Sequence, residues 1–435
     1  MDLLKLAKQY ENEIVKEIQS LVQIPSVLEE TNLPDAPFGE GIRDSLRYTL
    51  ELGKKLGFDT LNVDDLAGHI EFGQGEEILG ILCHVDVVPA DGEWNMQKFG
   101  GEIVEGKIYG RGTSDDKGPT ICGLYAMKLL KDLGFVPNKK VRLIIGTDEE
   151  TAWRGISHYL AKQPKPHLGF SPDADFPLIY GEKGIMSLDL VCENNDANLK
   201  SFVAGSRYNV VAPIATAEFT KDIDTKLEKE NNKYTAYGKS AHAMEPDNGI
   251  NAAVLLAKEL YQHTTNNLVR FICDGLTNSR MKDLGLDKSI EPMGPLTMNL
   301  GIVRIDEATS RAGLNFRYPH GFDSEKFIQQ LQEKCLPYNI TVEVKENKGP
   351  HFVDPKQPIV QELHKAYIEI TGDDKTPIKT IGGGTYARAL DNAVAYGALF
   401  PGERELAHEP DEYISIESAI KATAIIANAI YKLTK

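Results

Sequence analysis

Four apolar runs, each leading into acidic or histidine residues or a Pro-Gly turn, constrain the fold of this chain more than any other feature. They are ILGILCHVDVV (78–88), VRLIIGTDEE (141–150), HLGFSPDAD (167–175) and AVAYGALFPG (393–402). Between the first two runs lies PTICGLYAMKLLKDLGF (119–135), which predicts a helix. Strands that alternate with helices predict a mostly parallel sheet flanked by helices, with ligands bound at the carboxyl ends of the strands.

The middle of the chain has a different pattern, in which alternating apolar and polar positions predict antiparallel strands. Examples are SLDLVCE, TAEFTKD and LTMNLGIVRID, and helical patterns accompany them at 249–264 and 323–335. We therefore expect an α/β fold in which residues 1–183 and 347–435 form one domain. Residues 184–346 are expected to form an inserted α+β domain.

Composition and charge exclude several classes of protein. With 435 residues, 41% of them apolar, the chain is long enough for two or three globular domains. Its 48 basic and 64 acidic residues give a formal net charge of −16, which argues against nucleic acid and membrane partners. The N-terminal segment lacks the apolar core of a signal peptide, and no run of about 18 apolar residues predicts a membrane span. Five cysteines without a CxxC pair suit a reducing cytoplasm.

The motif CHVDVVP places His84 and Asp86 two residues apart, so on a strand both side chains would leave the same face. A neutral imidazole binds a metal well when a carboxylate fixes its tautomer. His84 is therefore a candidate ligand, with Asp86 as its supporting partner. The alternative is a structural histidine beside a surface aspartate.

The adjacent acids Asp115 and Asp116 lie in a glycine-rich turn at the start of the predicted helix. Two neighbouring buried carboxylates are costly unless a cation neutralises them, and a metal would explain the pair. The alternative is an acidic first turn that interacts favourably with the helix dipole.

Three further segments add acidic or histidine side chains. The run IIGTDEET ends in Asp148, Glu149 and Glu150, and strand alternation would divide the last two into one ligand and one general base. Asp173 follows another apolar run, and His408 follows a strand and a Pro-Gly turn. This composition favours a pair of divalent cations such as zinc, manganese or cobalt, bridged by one carboxylate.

Signatures of other catalytic classes are missing from the sequence. It contains no HExxH, GxSxG, GxxxxGK[ST] or GxGxxG motif. A serine or cysteine mechanism, a kinase and a dinucleotide-dependent enzyme are therefore without support.

The sequence resembles the di-metal amidohydrolase and peptidase family of carboxypeptidase G, aminoacylase and succinyl-diaminopimelate desuccinylase. The resemblance is carried by CHVDVVP, YGRGTSDDKGP, GTDEET, FSPDADFP, GKSAHAMEP, IGGGTYARAL and FPGERELAHEPDE, in the family's order. Within the family, the motifs are most similar to those of bacterial PepV-type dipeptidases and carnosinases. The resemblance implies that 1–183 and 347–435 form a di-metal catalytic domain and that 184–346 form a lid.

The resemblance also implies how two metals would be held. His84 and Asp173 would bind one cation, Glu150 and His408 would bind the other, and Asp115 would bridge them. The peptide bond that follows Asp115 would be cis. The first acid of the Asp-Asp pair is chosen as the bridge because relatives with a shorter motif keep only that acid.

The remaining roles come from the same resemblance. Glu149 would be the general base, Asp86 would support the metal-binding histidine, and His242 would polarise the scissile carbonyl and stabilise the oxyanion. The residues expected to hold the carboxylate end of the substrate are Asn209, Arg317, Gly382, Gly383 and Gly384. Arginine suits this task because its guanidinium group pairs bidentately with a carboxylate.

We therefore expect a cytoplasmic dipeptidase that cleaves short peptides with a free amine and carboxylate, using two cations, with Zn²⁺ first and Mn²⁺ or Co²⁺ as alternatives. A sister activity on N-acyl amino acids or succinyl-diaminopimelate is the alternative. A non-catalytic peptide-binding protein is disfavoured because the ligand set and Glu149 are intact. In the dipeptidase branch an enlarged lid replaces a partner subunit, which favours a monomer. The lid here is short, and the chain departs from the PepV pattern at Cys83, Ala152 and Arg154, none of them a ligand.

Overall fold

The computed structural model describes residues 2–435, and its first part alternates helices with short strands. The helices are α1 (Leu3–Ala7), α2 (Glu11–Val22), α3 (Glu40–Lys55), α4 (Lys117–Asp132) and α5 (Arg154–Lys162). The strands are β1 (Asp59–Val63), β2 (Ala67–Phe72), β3 (Ile78–His84), β4 (Glu102–Val104), β5 (Lys107–Tyr109), β6 (Lys140–Gly146), β7 (Leu168–Ser171), β8 (Ala174–Asp175) and β9 (Ile179–Glu182).

The middle part is richer in strands. Its helices are α6 (Ala252–Leu260), α7 (Asn267–Gly275) and α8 (Ser324–Cys335). Its strands are β10 (Gly184–Glu193), β11 (Leu199–Ala204), β12 (Ile214–Phe219), β13 (Glu228–Glu230), β14 (Lys233–Tyr237), β15 (Ser289–Ile290), β16 (Gly294–Pro295), β17 (Thr297–Ile305), β18 (Thr309–Tyr318), β19 (Thr341–Lys348) and β20 (His351–Phe352).

The last part returns to the pattern of the first. It contains helices α9 (Pro358–Thr371) and α10 (Ile416–Thr434) and strands β21 (Lys379–Ile381), β22 (Ala393–Ala395), β23 (Ala398–Leu399) and β24 (Tyr413–Ser415). Within residues 2–435, none of the helices combines the length and the apolar character that crossing a membrane requires.

The chain divides into two compact units. Unit 1 comprises Met1–Tyr180, Val353–Lys379 and Gly384–Lys435, and unit 2 comprises Gly181–Phe352 and Thr380–Gly383. The sequence did not indicate the short excursion of Thr380–Gly383 into unit 2.

The main sheet of unit 1 has the strand order β1-β2-β6-β3-β7-β22-β9. The four central strands β6, β3, β7 and β22 are parallel, whereas β1 and β2 are antiparallel additions. Helix α4 packs against β3 and β6, and α10 packs against α4. All seven residues of β3 are buried, as expected for a strand covered on both faces. The predicted α/β class is confirmed.

Unit 2 is built on an antiparallel sheet with the order β13-β14-β12-β11-β17-β18-β10-β19. One face packs with α6, α7 and α8 around an apolar core that includes Leu188, Leu300, Leu314 and Phe316. Alternation sends the intervening side chains to the other face, which carries the buried polar residue Asn315. The inserted α+β architecture therefore follows the period-two pattern in the sequence.

Candidate metal centre and substrate-binding residues

The carboxyl ends of the central strands of unit 1 carry most of the predicted ligands. His84 is the last residue of β3, and Asp173 follows β7. Glu149 and Glu150 lie in the turn after β6, which ends at Gly146. Because these strands are parallel, their carboxyl ends meet at one edge of the sheet. Since the two glutamates are beyond the strand, strand alternation does not separate them.

Asp115 lies between two histidines. Its Oδ1 is 3.0 Å from Nε2 of His84, and its Oδ2 is 3.0 Å from Nε2 of His408. On one side, Asp173 Oδ2 is 3.6 Å from His84 Nε2. On the other side, Glu150 Oε1 is 3.1 Å from His408 Nε2. One carboxylate thus joins two pairs, each made of a histidine and a further carboxylate.

Two overlapping groups of side chains are close enough to share a cation. Ligand atoms of His84, Glu149 and Asp173 lie within 4.8 Å of one another, as do those of His84, Asp115 and Glu150. By distance alone, Glu149 could therefore share a cation with His84 and Asp173.

The ring of His84 is oriented by the main chain. Its Nδ1 lies 3.0 Å from the carbonyl oxygen of Asp86, whereas the carboxylate of Asp86 is 3.5 Å away. With Nδ1–H donated to this carbonyl, neutral His84 presents its Nε2 lone pair to the cluster. The Asp86 carboxylate accepts the backbone N–H of Glu150 at 3.2 Å, so it links two of the ligand-bearing segments.

Some of the polar atoms at the centre have no hydrogen-bond partner. Among residues 2–435, Nε2 of His84 and Oδ1 of Asp115 make no hydrogen bond of acceptable geometry, although both are buried. Burial, followed by neighbouring carboxylates, raises the pKa of Asp173 to about 7, and burial also raises the pKa of Glu149. Crowded carboxylates and an unsatisfied imidazole nitrogen fit divalent cations, which supply the missing positive charge.

Two other acids of the same motifs make different contacts. Asp116 is buried and accepts the backbone N–H of His84 at 3.1 Å. Asp148 accepts hydrogen bonds from Thr151 Oγ1 at 2.6 Å and from Arg154 Nε at 2.7 Å, which shapes the turn that carries the glutamates. The peptide bond between Asp115 and Asp116 is cis, as the resemblance implies.

Glu412, which sequence reasoning missed, holds the loop that carries Asp115. It is 0% exposed, and its Oε1 accepts the backbone N–H groups of Ser114 at 2.8 Å and Asp115 at 3.2 Å. Its Oε2 accepts a hydrogen bond from the Arg111 guanidinium group at 2.7 Å. The only signal in the sequence is an acid four residues after His408, and nothing there indicates its distant partners.

Tyr386 was also missed as a neighbour of the cluster. Its buried ring meets the His84 ring edge to face, with centroids 6.0 Å apart, and its hydroxyl donates to the carbonyl of Thr147 at 3.1 Å. A Cβ at Gly146 would come within 2.6 Å of this hydroxyl oxygen, so the tyrosine packs directly on the end of β6. It forms an apolar wall beside His84, a predicted metal ligand.

Unit 2 brings several predicted substrate-binding residues together. Arg317 is buried on β18, where its Nη1 donates to the carbonyl of Gly382 at 2.9 Å and its Nε donates to Asn315 Oδ1 at 2.9 Å. A Cβ at Gly382 would lie 2.7 Å from Cβ of Met244, so this close approach requires glycine. The backbone N–H of Met244 donates to Nδ1 of His242 at 3.2 Å. Arg317 and His242 are thus joined through Gly382 and Met244.

The other residues predicted to bind the substrate carboxylate, Asn209, Gly383 and Gly384, do not all lie in the same unit. Asn209 is exposed, and its carbonyl accepts the N–H of Ala243 at 2.9 Å, which places it beside the His242 segment. Gly383 is the last residue of the short segment in unit 2, whereas Gly384 belongs to unit 1. The structure therefore does not bring all three glycines to one surface of unit 2.

Comparison with known sequences identifies relatives over the whole chain. The family described as Peptidase family M20/M25/M40 matches residues 80–432. "Putative dipeptidase YtjP" of Bacillus subtilis (strain 168) is 42% identical over 455 residues, which covers 97% of each chain. A Staphylococcus epidermidis protein with the same kind of name is 39% identical over 459 residues, which covers 98% of each chain.

Comparison with solved structures shows the same fold at low sequence identity. Human carnosine dipeptidase 1 has a TM-score of 0.66 at 14% identity, over 99% of this chain and 98% of that chain. The YXEP protein of Bacillus subtilis, described as a dinuclear metal binding peptidase, has a TM-score of 0.56 at 12% identity, over 98% of each chain. The predicted family and the predicted class, a metallopeptidase, are confirmed. The chain belongs to peptidase family M20/M25/M40.

Proposed function

We propose that this protein is a dipeptidase that hydrolyses the amide bond of short peptides with a free amine and a free carboxylate. The observation that carries the proposal is the position of Asp115, whose two carboxylate oxygens each lie 3.0 Å from a different histidine. Relatives at 42% and 39% identity are named as dipeptidases, which supports the same choice of substrate.

The residues of unit 1 fit two divalent cations. We assign His84 and Asp173 to one cation and Glu150 and His408 to the other, with Asp115 as the ligand common to both. When bound, the two cations, with Zn²⁺ as the first choice and Mn²⁺ or Co²⁺ as alternatives, make water more acidic and polarise the scissile carbonyl.

Glu149 is assigned as the group that moves the proton. Burial raises the pKa of its carboxyl group, so Glu149 accepts a proton more readily than an exposed glutamate, as a general base must. It accepts a proton from the attacking water and then donates that proton to the leaving amine. The backbone turn fixed by Asp148 and Arg154 holds it in place.

His242 is assigned as the hydrogen-bond donor to the carbonyl oxygen. Because its Nδ1 accepts the N–H of Met244, the neutral ring carries its proton on Nε2. That proton is the one required to stabilise the negative charge that develops on the substrate oxygen. On this proposal, unit 2 is the lid that supplies His242 to the reaction.

Arg317 is assigned to the carboxylate of the substrate, together with Asn209 and the glycines 382–384. Its contacts with Gly382 and Asn315 orient a planar guanidinium group, which pairs well with a carboxylate. We do not assign Asp175 to the free amine of the substrate, because its carboxylate is paired with Lys379 at 2.5 Å.

We also propose that the protein is cytoplasmic and monomeric. All five cysteines are free thiols, which suits a reducing compartment. Size-exclusion chromatography coupled to light scattering tests the monomer directly, and a dimer mass would contradict it.

The test of the proposed function is a substrate panel assayed after removal and return of metal. Protein stripped of metal, verified by elemental analysis, is reconstituted separately with Zn²⁺, Mn²⁺ or Co²⁺ and offered free dipeptides, N-acyl amino acids and succinyl-diaminopimelate. We expect metal-dependent cleavage of free dipeptides and loss of cleavage when either terminus is blocked. Cleavage of N-acyl or succinyl substrates with dipeptides left intact would replace the assignment with the sister activity. Full activity without metal would overturn both.

A further inference from the structure

We propose that Asn299 is a positioning residue that sets the place of Asn209 and thereby the selectivity for a free substrate carboxylate. The proposal deepens the proposed function and rests on it for the role of Asn209. Asn299 lies on β17 and is 1% exposed. Its side chain contacts the backbone that carries Asn209, so on this proposal Asn299 acts through Asn209 and not by touching the substrate.

The side chain of Asn299 holds the backbone on both sides of Asn209. Its Nδ2 donates to the carbonyl oxygen of Tyr208 at 2.8 Å and to that of Val210 at 3.0 Å. The Asn209 side chain is exposed, so its position follows from the backbone to which it is attached. One amide group therefore fixes the residues immediately before and after Asn209.

The segment around Asn209 is seated directly on β17. A Cβ at Gly301 would lie 2.4 Å from the carbonyl oxygen of Arg207 and 2.6 Å from that of Tyr208. Such distances leave room for glycine alone, which lets the loop backbone touch the strand. The contact at Gly301 and the two hydrogen bonds of Asn299 act on the same short segment.

The same segment is paired with the one that carries His242. Val210 and His242 form an isolated antiparallel bridge. On either side of this bridge, the N–H of Ala243 donates to the carbonyl of Asn209 and the N–H of Val211 donates to the carbonyl of Ala241, both at 2.9 Å. Asn299 therefore anchors a two-segment unit to the sheet. A displacement at 208–210 is expected to reach the His242 segment as well.

The cross-strand neighbour of Asn299 connects it to Arg317. Asn299 pairs with Asn315 on β18, and Asn315 Oδ1 accepts the Nε–H of Arg317. The two proposed carboxylate-binding residues, Asn209 and Arg317, are thus held by two asparagines that lie opposite each other on adjacent strands. This arrangement keeps a fixed spacing between them.

The side-chain amide of Asn299 is only partly satisfied. Among residues 2–435 its Oδ1 has no hydrogen-bond partner although it is buried, and an unsatisfied buried carbonyl is costly. The contribution of Asn299 is therefore the pair of hydrogen bonds that its Nδ2 donates to the backbone on either side of Asn209.

The test compares Asn299→Asp and Asn299→Ala with a matched control. Asn299→Asp keeps the shape but replaces the donor with an oxygen that faces two carbonyl oxygens, and Asn299→Ala removes the amide without adding charge. The control is Asn266→Asp. Asn266 is 0% exposed in the same unit and donates to Asn194 Oδ1 and Ser310 Oγ, away from Asn209.

The readout of selectivity is the ratio of kcat/KM for a dipeptide to kcat/KM for its C-terminal amide. We expect Asn299→Asp and Asn299→Ala to reduce this ratio about tenfold, because small misplacement of a binding group is costly. Asn266→Asp should leave the ratio unchanged even if its Tm falls. In the background of Asn209→Ala, the Asn299 substitutions should reduce the ratio no further. An unchanged ratio with a lowered Tm would show a structural role and overturn the proposal.

A second measurement does not depend on the identity of the substrate. Hydrogen exchange should be faster at Val211 and Ala243 in the Asn299 variants and unchanged there in Asn266→Asp. If the wild type cleaves no dipeptide, the proposed function fails while this measurement still reports whether Asn299 holds the segment. Unchanged exchange at both amides would overturn the positioning role by itself.

Discussion

Glu412 accepts the backbone N–H of Asp115 at 3.2 Å, although the two residues are 297 positions apart in the sequence. The same carboxylate pairs with the buried guanidinium group of Arg111 at 2.7 Å. Asp115 is the proposed bridging ligand, and His408, another proposed ligand, lies four residues before Glu412. One buried side chain therefore connects the loops of two proposed ligands. We therefore expect the metal centre to depend on a residue outside the proposed ligand set.

Replacing Glu412 should weaken both folding and metal binding. Glu412→Ala leaves Arg111 buried without its counter-ion, which is expected to lower the free energy of unfolding by about 3 to 5 kcal/mol. Loss of the support for Asp115 should lower metal affinity by about 10- to 100-fold. Chemical denaturation and elemental analysis after dialysis measure the two effects. The exposed neighbour Glu409 provides the control Glu409→Ala, and equal metal loss in both variants would contradict the role of Glu412.

Substitutions of the two adjacent glutamates, Glu149 and Glu150, should separate a loss of turnover from a loss of bound metal. Glu149→Gln is expected to lower kcat by about 10²- to 10⁴-fold while the chain retains its cations, because only the proton acceptor is lost. Glu150→Ala should instead lose metal, since its carboxylate lies 3.1 Å from His408. Steady-state kinetics and metal analysis of the same preparations distinguish the two. If Glu149→Gln loses metal and Glu150→Ala does not, Glu149 is the ligand and Glu150 the proton acceptor. The structure allows this outcome because Glu149 lies close to His84 and Asp173.

The fold, and the meeting of His84, Glu149 and Asp173 at one edge of the sheet, could be predicted because both follow from short-range patterns. The assignment of ligands to each cation came from the family resemblance. The apolar runs that precede His84, Glu149 and Asp173 became parallel strands, and parallel strands place their carboxyl ends together. The period-two pattern of the middle segment likewise indicated an antiparallel sheet. These signals lie within stretches of about ten residues, which a single sequence displays directly.

Contacts between distant positions could not be predicted in this way. Nothing near Glu412 indicates that it bonds the loop at 112–115, and nothing near Asn299 indicates that it bonds the carbonyls of Tyr208 and Val210. The end of β6 at Gly146 was also missed, because the run was interpreted as continuing through the acids, although Gly146 and Asp148 are residue types common in turns. Tertiary packing, and not the local pattern, determines the contacts of Glu412 and Asn299.

Arg317 should discriminate between free and blocked carboxyl ends. Arg317→Ala and Arg317→Lys are expected to lower kcat/KM for a dipeptide about 10- to 100-fold more than for its C-terminal amide, because a charge-assisted bidentate contact is lost. Lysine restores the charge but not the planar pair of donors, so it should rescue little. Arg304→Ala is the control, since Arg304 on β17 donates to the carbonyls of Ala204 and Gly205. Equal losses on both substrates would place Arg317 outside carboxylate recognition.

His69 should make the stability of unit 1 depend on pH. It lies on β2, is 6% exposed, and its Nδ1 accepts the Tyr159 hydroxyl at 2.8 Å. Burial, followed by the charge of Arg142, lowers the pKa of His69 from 6.5 to about 4. Between these two pH values the unfolded chain binds a proton that the folded chain does not, so stability is lost as the pH falls through this window.

The size of this effect can be isolated by substitution. Between pH 7.5 and 4.5 the free energy of unfolding of the wild type should fall by about 2 to 3 kcal/mol more than that of His69→Gln, which lacks the titrating group. Urea denaturation at the two pH values measures the difference, and carboxylates common to both proteins cancel in the comparison. His320→Gln, which removes an exposed histidine, should follow the wild type. If wild type and His69→Gln lose the same stability on acidification, His69 is not held neutral by its surroundings.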